Sequence, residues 1–83
     1  MNKSETFLTI YQESLAEEIT RTPQNYTYGL DKLPTVIERA TQKYNEVGIK
    51  GFALNGQAIR LTYKKLGIPK ITYKAFEEWL AAE

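Results

Sequence analysis

Cysteine and histidine are both absent from the 83 residues of this chain. Without cysteine there is no disulfide stapling and no thiol nucleophile, and a fold without disulfides fits a reducing compartment. Without either residue type there are no zinc sites of the finger kind, and the commonest general base is missing. No apolar run approaches the roughly 20 residues that a membrane-spanning helix needs. The opening "MNKSETFLTI" has no apolar core and no small-residue cleavage site, so no signal peptide is expected and the expected location is the cytoplasm. Proline is scarce, at three residues, and two of the three fall at expected helix boundaries. No internal repeat or low-complexity segment is present. A chain of this length makes one domain, taken as residues 1–83, with a limited core.

The groups left for catalysis do not converge. Glu17-Glu18 and Glu77-Glu78 are sequence neighbours, and neighbours on a helix point to different sides. Ser4 and Ser14 have no histidine to activate them. Gly48 and Gly51 lack the strand context and the following Lys-Ser/Thr of a phosphate loop. The expectation is a protein that is not an enzyme, with no catalytic residue, no metal site and no cofactor.

What is present is helical periodicity. Ser4 is positioned to cap a helix with Glu5 in its first turn. Leu8, Tyr11, Leu15 and Ile19 recur at helical spacing over about 5–21, with Glu13, Glu17 and Glu18 on the outer side. Pro23 ends this helix. "TPQNYTYGLDKL" reads as a loop from which Tyr26 or Tyr28 packs onto the core. Pro34 suits the first turn of a second helix, about 34–47, whose stripe is Leu33, Ile37, Ala40, Tyr44 and Val47, with Gly48 as its C-cap. "GIKGFALNG" reads as an ordered connector. Asn55 caps a third helix, about 56–66, ended by Gly67. Thr72 caps a fourth, about 73–82, with Tyr73, Phe76, Trp79 and Leu80 facing inward. The fold class is all-α: a compact four-helix domain with Leu15, Ile37, Tyr44, Leu66, Phe76 and Trp79 in one core.

Charge is unevenly distributed along the chain. From Val47 to Phe76 there are six basic residues, Lys50, Arg60, Lys64, Lys65, Lys70 and Lys74, and no acidic one; the three stretches 1–46, 47–76 and 77–83 carry −2, +6 and −3. Such asymmetry points to an anionic partner or to an ordinary solvated face. The same stretch contains "KKLGIPKITYKAFEEWL", which has the rhythm of a helix-turn-helix. In a DNA reader the fourth helix would enter the major groove, with Tyr73 and Lys74 at its start and Arg60, Lys64, Lys65 and Lys70 on phosphates. Against this, Glu77 and Glu78 occupy the next turn, where carboxylates repel phosphates, and the helix offers few Arg, Asn or Gln side chains for bidentate base contacts. The balance favours a packing corner. The six tyrosines and one tryptophan suit stacking on unpaired bases or anchoring a protein interface.

The segments "YTYGLDKLPTVIERATQKY" and "NGQAIRLTYKKLGIPKITYKAFEEWL" resemble a class of small proteins found in bacteriophage and prophage genomes. These close on a pattern like "AIxxxxKxLGIxxTYKA", matched here by Ala58, Ile59, Lys64, Leu66, Gly67, Ile68, Thr72, Tyr73, Lys74 and Ala75, with a longer "GIPKI" corner. The resemblance covers about residues 26–80. The class carries no assigned activity, so the resemblance implies a phage source and, with it, the cytoplasm of a bacterial host. It implies two functions: a binding module that modulates a host protein, which is preferred, or a small DNA-binding protein that uses the basic stretch 47–76. The candidate binding residues for either are Arg60, Lys64, Lys65, Lys70, Tyr73 and Lys74.

Overall fold

The structure, a computed structural model, describes residues 2–21 and 33–82. Four α-helices follow one another: α1 (Lys3–Arg21), α2 (Leu33–Val47), α3 (Gln57–Leu66) and α4 (Tyr73–Ala81), with a 3-10 turn at Gly48–Gly51 between α2 and α3. No strand occurs among the described residues. The all-α four-helix expectation is therefore met, with each helix boundary within two residues of its expected place. Tyr26 and Tyr28 lie outside the described residues.

The helix ends follow local chemistry, with two corrections. α1 is capped by Asn2 and not by Ser4. The Asn2 side-chain oxygen accepts the Glu5 N–H at 2.8 Å, and its amide donates to the Glu5 carboxylate at 3.1 Å. This reciprocal pair starts the helix ahead of Ser4. Ser4 is released to bond the Tyr44 hydroxyl of α2, 2.8 Å away. Asn55 does not cap α3 either: Gly56 holds that position in extended backbone, with no side chain accepting from the first turn. The other three stand as expected: α2 ends at Val47 with Gly48 following at φ 71°, Gly67 ends α3 and Thr72 starts α4. Gly67 takes φ 74°, and the N–H groups of Gly67 and Ile68 return to the carbonyls of Lys64 and Tyr63 at 3.2 and 2.9 Å. Only glycine adopts that left-handed turn without strain. The Thr72 hydroxyl accepts the Ala75 N–H at 3.0 Å and starts α4.

The core has two centres. Phe7, at the start of α1, is fully buried and is surrounded by Tyr44, Tyr63, Phe76 and Trp79, with its closest ring, Phe76, edge-on at 4.7 Å. Tyr11 stacks on Phe52 at 4.3 Å to widen this aromatic cluster. A second cluster joins Leu15 and Ile19 of α1 to Ala58 of α3, with Tyr11 and Ala40 packed against both clusters. The chain approaches itself closely at Gly51, where a Cβ would stand 2.7 Å from the Lys43 side chain and 2.8 Å from that of Val47.

Leu15, Tyr44 and Phe76 are buried as expected, but Ile37, Leu66 and Trp79 are only half-buried. Each sits at a margin. Ile37 lines an open groove between α1 and α2, Leu66 is the last residue of α3, and Trp79 lies on the outer side of the aromatic cluster. Leu33 is half-buried, and Val47, Tyr73 and Leu80, also expected inward, are exposed. Glu18, expected on the outer side of α1, is buried and pairs with Arg21 at 2.8 Å. The two ends of the described fold are tied together by Lys3. Its ammonium lies 5.0 Å from the centre of the Trp79 ring and donates to the carbonyls of Trp79, at 2.7 Å, and Ala82. A cation on the last carbonyls of a helix favours the local dipole, so Lys3 of α1 acts as the C-terminal partner of α4.

Candidate functional site

The corner at residues 67–72 is an ordered surface feature. Ile68 is buried beneath it. The Tyr63 hydroxyl, reaching up from α3, donates to the Thr72 carbonyl at 2.8 Å. Tyr63 is 1 % exposed, and burial, with the neighbouring Tyr73 phenol in second place, pushes its ionisation up to about 12. Its hydroxyl therefore stays a donor throughout the neutral range. A longer bond of 3.4 Å runs from the Tyr73 hydroxyl to the Phe52 carbonyl. On this fixed backbone, Lys70, Ile71, Tyr73 and Lys74 all remain exposed. Ile71 is 40 % and Tyr73 37 % accessible. An exposed β-branched residue and an exposed aromatic one thus sit between two lysines.

The six sequence-predicted binding residues fall into three settings. Lys70, Tyr73 and Lys74 belong to the corner and the first turn of α4. Lys65 does not stand free: its ammonium lies 2.6 Å from the Glu17 carboxylate of α1. The sequence places no acidic residue near Lys65, but folding brings one from 48 residues away. Arg60 and Lys64 line a polar cleft against the end of α1, together with Glu18, Arg21, Gln57 and Leu61. Sequence reading missed Arg21, Gln57 and Ile71. Arg21 and Gln57 carry no local signal, since their relevance comes from the packing of α1 on α3. Ile71 was legible in principle, because it precedes the Thr72 cap and so lies off the inward stripe of α4.

A larger groove of about 770 Å³ runs between α1 and α2, with Leu33, Pro34 and Ile37 as apolar lining and Gln12, Glu38 and Thr41 among its polar residues. Gln12 donates to the Thr41 hydroxyl at 2.7 Å across it. Among the described residues no group of His, Cys, Asp and Glu side chains gathers as metal ligands, and no helix is long and apolar enough to cross a membrane. No protein-family model, curated protein or solved structure matches the chain, so what the site can do rests on its own residues.

Proposed function

We propose that this chain is a small non-enzymatic binding module of phage type that docks on a host protein and modulates it through the corner at residues 67–74. The observation that carries this reading is the exposure of Ile71 and Tyr73 on a braced backbone, flanked by Lys70 and Lys74. A rigid aromatic anchor ordered before binding loses little conformational entropy on association. The lysines suit a partner surface that carries acidic residues around an apolar spot. Glu77 and Glu78, exposed on the next turn of α4, disfavour the phosphate-lined groove that a DNA-reading α4 would have to enter, and an exposed isoleucine gains nothing from phosphates.

The test is capture from bacterial lysate with the full chain, with and without nuclease, followed by reconstitution with the purified partner. The expected result is a nuclease-resistant partner whose binding is lost in Ile71→Asp and Tyr73→Ala variants that melt like the parent. DNA-dependent capture, with affinity falling steeply in salt, would instead establish the DNA-binding alternative.

A further inference from the structure

We infer that the cleft between the end of α1 and α3 is a second, independent binding site, and that its ligand is a small phosphate-bearing anion of diphosphate type. The cleft has a volume of about 260 Å³. That lies just below the range of about 300–1,000 Å³ typical of pockets for drug-sized molecules, so it suits an ion-sized ligand. Arg60 and Lys64 are four residues apart on α3 and therefore share one face, one turn above the other. Both are exposed, and among the described residues neither has a carboxylate within ion-pair distance.

Arg21 enters the cleft from α1. Its guanidinium is held at 2.8 Å by Glu18, a buried carboxylate in the cleft lining that takes one edge of the fork. The rest of the fork is left for a ligand, and a planar guanidinium matches paired phosphate oxygens. Three cations thus face one carboxylate already engaged. Gln57, the first residue of α3, adds a side-chain amide at the end where no side chain caps the helix. The start of α3 thus adds a neutral donor to the cleft, while Lys64 stands in the last turn of the same helix. The mixed guanidinium, ammonium and amide donors suit an anion with several oxygens in different directions, which diphosphate provides and chloride does not.

This site is distinct from the corner, and so is its test. The full chain, labelled with 15N, is titrated with pyrophosphate at low ionic strength, with sodium chloride at matched ionic strength as the control. Saturable shifts confined to Arg21 and to residues 57–64 are expected. The double variant Arg60→Gln with Lys64→Gln should weaken binding by about tenfold or more, because a charge-assisted hydrogen bond is worth more than a neutral one. Lys70→Gln with Lys74→Gln should leave it unchanged. Equal shifts with chloride, or affinity unchanged in the Arg60/Lys64 variant, would overturn the site. A short duplex at equal phosphate concentration separates free diphosphate from nucleic-acid phosphate. Weaker binding by the duplex supports the small ligand, whereas tighter binding that also needs Lys70 and Lys74 replaces the cleft with an extended nucleic-acid surface.

Discussion

The two packing centres of this molecule do different jobs. Around Phe7, rings from α1, α2, the connector, α3 and α4 meet at many angles, from stacked to edge-on. That cluster gathers residues far apart in sequence and sets where the corner and α4 sit. At the α1–α3 crossing the buried side chains are smaller: Leu15, Ile19 and Ala58, with Ser14 and Thr62 fully buried. Both hydroxyls return to carbonyls of their own helix, Ile10 and Ala58, at 2.8 Å. They are thereby satisfied without a partner across the interface, at a small cost in helix regularity. The crossing sets where Arg60 and Lys64 stand relative to Arg21. The aromatic centre therefore governs the corner, and the aliphatic crossing governs the cleft.

The largest break in this division comes from Phe7→Ala. Removing a fully buried ring costs about 3–5 kcal/mol, a large fraction of what so small a fold has. Urea denaturation should show the variant largely unfolded or with a strongly reduced midpoint. Trp79→Ala, by contrast, should cost less, since the indole is half-buried; an equal loss in the two variants would mean that the centre lies nearer Trp79 than Phe7.

Tyr63→Phe sharpens the comparison from the corner side. It removes one of two donors to the Thr72 carbonyl, which also accepts the Phe76 N–H at 3.2 Å, and should cost about 1 kcal/mol at neutral pH. It should also change the response to alkali. An unfolded tyrosine ionises near pH 10, while folded Tyr63 holds its proton to about 12. Between these values the folded state binds more protons than the unfolded one, so stability falls as pH rises through that window. Tyr44 is also raised, chiefly by burial and against the lowering effect of its Ser4 bond. The variant should therefore flatten the alkaline loss without abolishing it. Midpoints measured at pH 9, 10 and 11 check this, and parallel curves for parent and variant would contradict it.

Ile19→Val probes the aliphatic crossing. Deleting one buried methyl group there should cost about 0.5–1.5 kcal/mol. Amide shifts should concentrate on α3 near Ala58 and leave the corner in place; shifts that spread to Thr72 and Tyr73 would show that the two centres are coupled. The smallest effect is expected from Lys65→Gln. Its pair with Glu17 is partly exposed and is worth about 0–1 kcal/mol. Its melting temperature should be nearly that of the parent, and the difference should shrink further in high salt.

Much of the fold was legible because it is local. The Thr72 cap, the Gly67 turn and the four helical stripes depend on residues within a turn or two of one another. The misplaced caps show how narrow that margin is, since Asn2 stands two residues before Ser4 and reaches Glu5 first. Phe7 escaped notice for a related reason. It shares a face with Ser14 and Glu18, and those two polar residues disguise a buried stripe that runs beside the apolar one through Leu8 and Tyr11.

The sequence by itself determined four amphipathic helices, their order and most of their ends, because backbone geometry, capping and side-chain periodicity act over a few residues. It also determined that residues 47–76 carry only positive charge. Which of those charges are free was decided by tertiary structure alone. The packing of α1 on α3 sets Glu17 against Lys65, buries Glu18 with Arg21 beside Arg60 and Lys64, and leaves Lys70 and Lys74 exposed with Ile71 and Tyr73. Coulomb interactions depend on distance in space, and helix packing, which no local pattern encodes, sets those distances.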